Sequence, residues 1–368
     1  MSKPLHELLD YQHLTGIVSD PRGGLPPAPL PESYLRVTRT VPGDSMKWFE
    51  VAGSRKTAIV AQRSSESQRR EMKGVTEKTA KAIFAHEHMF HDVDILNMLR
   101  NMDNPQIQQL GEQELDRQSA ESRVLLDNLR AAAIMSVVLT GYLRYKTGPS
   151  GGLYDPNGST GTQIDFGIPA GNRNQLDILG DGATISATWA TATNNIPAMI
   201  EAILKAAVRK SGYPITTAIY GANVLGYLTQ NNYCKELING SSFFSTEFGQ
   251  NRVPQGFLGL NWRNGRDAFF AEPTGSLVDL VPADTIVFLP DASREQYELI
   301  EGTYEVPTNI GGISDNPMAA KGSLATVAGR FNYAKVTDDP VGIKHNYGDT
   351  FLPVLKVPNS IFIGDVTP

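Results

Sequence analysis

Cysteine is almost absent from this sequence of 368 residues, because Cys234 is the single one. One cysteine cannot form an intramolecular disulfide or a cysteine-based zinc cluster. The sequence also lacks an apolar run near the roughly 18 residues that span a membrane, and residues 1–10 lack the basic start and apolar stretch of a signal peptide. We therefore expect a soluble protein made in a reducing cytosol, without membrane contact.

Positive charge is in deficit, since 33 lysines and arginines stand against 39 acidic residues and the net charge is -6. A protein that binds nucleic acid over its whole surface needs that surface to be positively charged. The net charge therefore disfavours a general nucleic-acid-binding protein. The hydrophobic fraction of 40% and the charged fraction of 20% are those of a globular chain. The length suits about two domains of roughly 150 residues each.

Catalytic motifs are also scarce. The sequence contains no phosphate-binding G-x-x-x-x-G-K-[ST] and no G-x-G-x-x-G that opens a helix after a strand. Residues 148–152, GPSGG, match the nucleophile elbow G-x-S-x-G in letters only, because a helix precedes them and strands follow. We expect a loop here, and a protein that has no cofactor and is not an enzyme.

Three histidines lie close together at His86, His88 and His91. A zinc-peptidase helix needs histidines four residues apart, but Phe90 occupies the fourth position after His86. On a strand, His86 and His88 would share one face and His91 would lie on the other. Structural histidines are the default interpretation, and a metal-dependent hydrolase that uses this cluster is kept as an alternative.

The first 42 residues are rich in proline and predict an extended arm. Proline lacks the backbone N–H that helices and central strands need, and five prolines fall between Pro21 and Pro31. Such a segment has little means of ordering itself. We predict that neighbouring copies of the chain contact it, with Pro26 and Pro27 in the contact.

Residues 43–85 predict a long hairpin with a polar tip. Strand-like pieces at 48–51 with 57–61 and at 75–83 flank this tip at 62–74, and residues 55–81 contain eight bases and three acids. Charge runs are usually just solvated, and the absence of aromatics from 62 to 81 leaves nucleobase stacking unsupported. We favour a contact with an acidic surface of a neighbouring copy, through Arg63, Arg69, Arg70, Lys73 and Lys78.

Residues 107–145 predict an unusually long helix. Its second half is apolar at helical spacing, as at Leu125, Leu129, Ala133 and Val137. Its first half is acidic, and we predict that this half receives the basic hairpin, because complementary patches set orientation and register between partners. The predicted interface acids are Glu112, Glu114, Asp116 and Glu121.

Shorter elements follow the long helix. We predict a β-rich region after residue 152, a helix at 196–210, a strand at 215–220 and a helix at 222–230. A loop rich in glycine, asparagine and serine is expected around 239–242. Strand-like pieces return between 353 and 363.

The order of these elements resembles the major capsid proteins of tailed bacteriophages, above all the lambda-type family with the Hong Kong 97-type fold. Two segments add to the resemblance, SGYP with IYGANVLGYL between 211 and 228, and PADTIVFL at 282–289. The resemblance implies an α+β fold with an N-terminal arm (1–42), an extended hairpin loop (43–85), a peripheral domain with a spine helix (86–190 and 320–368) and an axial α/β domain (191–319).

The resemblance also implies a function. The chain would assemble as hexamers and pentamers into an icosahedral head shell that encloses double-stranded DNA without sequence-specific binding. The precursor shell would be built in the cytoplasm of the host bacterium and mature as part of the virion. A separate scaffolding protein, a portal and a decoration protein would be its partners. A cellular nanocompartment shell is a further alternative.

Overall fold

The computed structural model of this chain describes residues 29–51, 75–92, 94, 97–98, 104–174, 188–293, 295–307, 324–338 and 341–367. Strands and helices are mixed along these residues, which confirms the predicted α+β class. The strands are β1 Val37–Val41, β2 Ser45–Val51, β3 Val75–Lys81, β4 Ile83–Asp92, β5 Tyr142–Lys146, β6 Gly152–Leu153, β7 Thr162–Asp165, β8 Arg173–Asn174, β9 Thr217–Tyr220, β10 Asn261–Asn264, β11 Phe269–Ala271, β12 Leu277–Asp279, β13 Thr285–Leu289, β14 Tyr297–Pro307, β15 Leu324–Ala328, β16 Phe331–Asp338, β17 Val341–Leu355 and β18 Phe362–Asp365. The helices with described bounds are α1 Pro105–Thr140, α2 Ile196–Ser211, α3 Val224–Gln230, α4 Asn232–Asn239 and α5 Ser242–Gly249.

Helix α1 begins at a capping residue and ends at a glycine. The Asn104 side chain accepts a hydrogen bond from the N–H of Gln106 at 3.2 Å. Pro105 occupies the first turn, where its missing N–H removes no helical hydrogen bond. Gly141 ends the helix with a φ of 75°, a left-handed conformation that favours glycine. At 36 residues the helix is about 54 Å long.

The predicted end of this helix near residue 145 is wrong. The chain turns at Gly141 and continues as β5, so the helix ends five residues earlier than its apolar pattern indicates. A Cβ at position 141 would lie 2.5 Å from the Ile168 side chain, so the turn leaves no room for a larger residue. The predicted apolar second half is confirmed, because every residue from 131 to 139 is buried.

A six-stranded sheet carries α1 on one face. Its strand order is β1-β14-β17-β16, with β4 pairing with β17 and β15 pairing with β14. Strand β17 is 15 residues long and pairs antiparallel with β16 at 341–348, with β4 at 342–351 and with β14 at 351–355. The sheet is therefore organised around β17, which also contacts α1.

Buried charges join α1 to this sheet. Arg130 forms a bidentate pair with Asp349 at 3.0 and 2.7 Å and reaches Glu301 at 2.9 Å. Arg330 pairs with Asp127 at 2.5 Å and with Asp349 at 3.4 Å. We call these five residues the Asp349 cluster. The Asp349 side chain is fully buried, so water screens its attraction to the two guanidinium groups only weakly.

The hairpin of β2 and β3 begins beside the six-stranded sheet. The two strands pair antiparallel from Ser45 opposite Lys81 to Val51 opposite Val75, which confirms the predicted pairing at the base of the hairpin. Its buried Trp48 packs 5.9 Å from the ring of Phe166. The polar tip predicted for this hairpin lies outside the described residues.

A second, five-stranded sheet has the order β10-β9-β13-β18-β8. Helices α2 to α5 and this sheet enclose a second hydrophobic core that includes Ile200, Ala218, Ile286 and Phe362. Helix α2 matches its prediction within one residue at its end. Strand β18 belongs to this sheet, whereas the sequence-based division grouped 320–368 with the first domain.

The loop predicted around 239–242 is only a short turn between two helices. The Asn231 side chain caps α4 by accepting hydrogen bonds from the N–H groups of Tyr233 and Cys234, each at 3.1 Å. Ser241 caps α5 in the same way. These helices are eight residues long, which is too short for a clear apolar period in the sequence. Burial raises the pKa of the Cys234 thiol to about 12.

The segment 29–35 is attached to both sheets. The Tyr34 hydroxyl donates a hydrogen bond to the carbonyl of Pro290, directly after β13, at 2.8 Å. The Arg263 side chain on β10 donates to the carbonyl of Leu30 at 2.9 Å. Strand β1 then pairs in parallel with β14 of the six-stranded sheet. Residues 1–28, where most of the predicted arm lies, are outside the described residues.

Replacing Asp349 with alanine tests the buried cluster. The change leaves Arg130 and Arg330 without their shared carboxylate, and breaking a buried pair from one side lowers the unfolding free energy by about 3–5 kcal/mol. We expect a loss of this size in chemical denaturation. Asp116→Asn changes an exposed acid and should shift the unfolding free energy by less than about 0.5 kcal/mol. Equal effects of the two substitutions would contradict the role given to the cluster.

Candidate functional site

The predicted interface acids lie on the first half of α1. Glu114 accepts hydrogen bonds from Arg117 at 2.9 and 2.7 Å and from Gln118 at 2.7 Å. These bonds, Arg117 first, lower the pKa of Glu114 to about 2. Glu121 also pairs with Arg117. Part of the negative charge is thus balanced within the helix, while Asp116 remains exposed and Glu112 is half-buried.

Large apolar side chains share this surface of α1 with the charges. Leu110 is 59% exposed, Val124 52% and Leu125 50%. Single exposed apolar residues are common, but several along one helix beside charged groups are typical of a protein contact surface. The helix therefore offers both apolar area and charge to a partner.

The predicted hairpin cations are only partly described. Lys78 on β3 pairs with Glu50 on β2 at 2.5 Å, so its charge is already balanced inside the hairpin. Lys47 and Glu77 form a second cross-strand pair at 3.1 Å. The structure thus gives Lys78 a partner that the sequence analysis did not foresee. Arg63, Arg69, Arg70 and Lys73, and also Pro26 and Pro27, lie outside the described residues.

A groove of about 520 Å³ opens between α1, the start of β4 and the loop after β5. Its apolar lining includes Phe84, Leu125, Leu129 and Tyr347. Residues 148–152 form one wall, and they connect β5 to β6 without an intervening helix. The prediction of a loop at this motif is confirmed, since a nucleophile elbow requires a strand that turns into a helix.

The histidine strand has the predicted two-faced geometry. On β4, His86 and His88 are exposed, whereas His91 is 1% exposed and lies 5.5 Å from the buried ring of His345. The three side chains therefore do not converge on one point. Among the described residues, no group of three or more histidine, cysteine or acidic side chains has the geometry to hold a metal ion.

His345 is the more strongly perturbed of the histidines on β17 and β4. Burial, and then the repulsion from His91, lower the pKa of His345 to about 3. Burial and the nearby His88 also lower the pKa of His86. The imidazole of His345 is therefore buried in its neutral form.

Two clusters that the sequence analysis missed are formed by residues far apart in the chain. Arg130 and Asp349 are separated by 219 positions, and no local pattern links them. On the other face of the sheet, Phe331 lies under Phe84, His86 and Tyr304, with the Tyr304 ring at 4.2 Å. The alternation of Phe84, His86 and His88 along β4 places these side chains on one face of the strand. It was the only local sign of the aromatic cluster around Phe331.

The comparison with protein families decides what kind of protein this is. The family model of phage major capsid protein E matches residues 26–366, which is nearly the whole chain. The chain belongs to this family. It is accordingly a head shell protein that assembles into a multimeric capsid and resides in the virion. No curated protein sequence matches it significantly.

Solved structures agree with this assignment at the level of the fold. A putative capsid protein from a prophage of E. coli CFT073 has a TM-score of 0.51 at 13% identity, covering 97% of this chain and 99% of the other. A phage-related protein from Bordetella bronchiseptica has a TM-score of 0.50 at 8% identity, covering 97% of both chains. The capsid protein has the Hong Kong 97-type fold. The metal-dependent hydrolase and the nanocompartment find no support in these comparisons.

None of the helices in the described part of the chain combines the length and apolar character that a membrane span requires.

The buried His345 predicts how stability of the capsid protein depends on pH. Because its folded pKa lies below the ordinary value near 6.5, the unfolded chain binds a proton that the folded chain does not. The unfolding free energy should therefore fall as pH drops from about 6.5 towards 3, by at most about 1.4 kcal/mol per pH unit for this group.

Urea denaturation of the unassembled chain at several pH values measures this slope. His345→Leu removes the titrating group and should flatten the slope between pH 6 and 4, whatever its effect on absolute stability. His88→Gln, at an exposed position of β4, is the matched control and should keep the slope. An unchanged slope in His345→Leu would show that other groups control the acid sensitivity.

Proposed function

We propose that this protein is the principal shell subunit of a tailed-phage head, with hexamers and pentamers as its building units and no catalytic role. The match of the capsid family across 26–366 carries the proposal. Assembly takes place in the cytoplasm of the host bacterium, around a separate scaffolding protein and at a portal. A decoration protein then stabilises the shell after DNA packaging. The DNA is enclosed without sequence-specific contacts.

The two hydrophobic cores support a division into two working units. One core lies between α1 and the six-stranded sheet, and the other lies between α2 to α5 and the five-stranded sheet. We assign the first to the peripheral domain, 86–190 with 320–368, to which β14 at 297–307 also contributes, and the second to the axial domain, 191–319 apart from β14. The pairing of β18 with β13 adds the last strand to the axial unit.

We further propose that the hairpin 43–85 lies over α1 of a neighbouring subunit. The exposed apolar side chains and acids of α1 favour a partner that is extended and basic, and the hairpin sequence has these properties. Because each subunit would both offer a hairpin and receive one, every contact is repeated around the shell. Repetition of a modest contact gives a stable assembly through avidity.

Coexpression with the scaffolding protein of the same phage tests the shell function. We expect closed particles of uniform diameter in negative-stain electron microscopy. A chain that stays monomeric and compact under all these conditions would contradict the proposal. Particle diameter from the same images gives the shell size.

Charge exchange tests the hairpin contact. Glu112→Lys with Asp116→Lys should reduce the yield of closed shells roughly tenfold, because like charges then face each other and 1.4 kcal/mol corresponds to a factor of ten. Adding Arg69→Glu and Arg70→Glu should restore the yield. Glu236→Lys reverses an exposed acid on α4 and serves as the control. If the fourfold variant assembles no better than the double variant, the proposed contact is wrong.

A further inference from the structure

Arg144 is a buried cation whose guanidinium has no acceptor among the described residues. It lies on β5, the middle strand of the three-stranded sheet β6-β5-β7, and is 3% exposed. Its Nε and Nη1 atoms have no hydrogen-bond partner. Within the described residues, no carboxylate forms an ion pair with it. Arg130 and Arg330, by contrast, each have carboxylate partners in the Asp349 cluster.

The turn at 155–158 covers the Arg144 side chain without neutralising it. The turn is closed by a hydrogen bond from the Gly158 N–H to the Asp155 carbonyl at 3.0 Å. A Cβ at position 158 would lie 2.4 Å from both Nη1 and Nη2 of Arg144, so a larger residue there would displace the guanidinium. Gly158 itself is exposed. The guanidinium therefore lies directly beneath the molecular surface.

The carboxylates beside this turn are engaged elsewhere. Asp155 accepts a hydrogen bond from the N–H of Asn157 at 2.9 Å. Glu272 accepts one from the N–H of Asp155 at 2.8 Å and another from the Thr274 hydroxyl at 3.2 Å. Both groups hold the turn in place, and neither bonds the guanidinium.

An uncompensated buried charge strongly destabilises a folded chain. A site of this kind is energetically reasonable when an anion reaches it in the working state of the protein. Guanidinium groups favour carboxylates and phosphates, which they bind through two parallel N–H donors. The open question is which oxyanion reaches Arg144.

We propose that Arg144 receives an aspartate or glutamate side chain from a neighbouring copy of the chain when the shell forms. This inference rests on the proposed shell function. Because the guanidinium lies beneath the exposed Gly158, a neighbouring copy that packs on this turn can bring a carboxylate to it. The chain also has six more acids than bases, so neighbouring copies carry carboxylates in excess. Assembly then neutralises a charge that the free subunit leaves unpaired.

Arg144→Met tests the proposal because it should raise the Tm of the unassembled chain and lower the yield of closed shells. Methionine keeps an apolar stem and removes the charge, so the unassembled full-length chain should melt about 2–4 °C higher than the wild type. The yield of closed shells should fall about tenfold, and Arg144→Lys should recover part of it. Arg130→Met is the matched control, because it removes an arginine that is paired within the subunit, and it should lower the Tm of the unassembled chain.

Other outcomes would overturn the proposal. Arg144→Met chains that assemble at wild-type yield show that Arg144 has no role between copies, and chains that melt lower or fail to fold show that its charge is already compensated within the subunit. A higher Tm of wild type, but not of Arg144→Met, in millimolar sodium phosphate would identify a free-ion site instead. Shells that lose only DNA retention would identify a phosphate of the enclosed DNA. Wild-type chains that form no shells contradict the proposed function itself, so the two failures are distinguishable.

Discussion

The buried carboxylate of Asp349 holds the two main elements of the first core together. It joins Arg130 on α1 to Arg330 beside β16, and it belongs to β17, the strand around which the six-stranded sheet is organised. Buried ion pairs add little net stability compared with apolar packing, but they tolerate few alternative arrangements. The cluster therefore fixes where the 36-residue helix lies on the sheet. The surfaces that α1 presents to a partner follow from that position.

Sequence reasoning succeeded where the signal is local. The apolar spacing from Leu125 to Val137 and the pattern at 196–210 specify helices by short-range chemistry, and the structure confirms these elements. It failed at the end of α1, because the apolar pattern continues into β5 and only the positive φ of Gly141 breaks it. The Asp349 cluster and the unpaired Arg144 could not be predicted, since burial and partners depend on contacts between distant residues.

A single copy of the chain leaves some apolar side chains exposed and one buried charge without a partner among the described residues. Leu110, Val124 and Leu125 expose apolar area on α1, and Arg144 is buried without a carboxylate partner in the part of the chain that the structure describes. In a monomeric enzyme such features would be defects. In a protein that works as one copy among many, they limit the stability of the lone subunit relative to the assembled shell, which favours completion of the shell over accumulation of intermediates.

The attachment of segment 29–35 to both sheets has a mechanical consequence. The Tyr34 hydroxyl donates a hydrogen bond to the carbonyl of Pro290 after β13, and the Arg263 side chain donates one to the carbonyl of Leu30. Strand β1 pairs in parallel with β14. Tension applied to the chain at residue 29 therefore meets the side-chain bonds at Leu30 and Tyr34 first and the parallel pairing of β1 after them. These successive attachments to the two sheets let a tether at this point bear load when a container is under internal pressure.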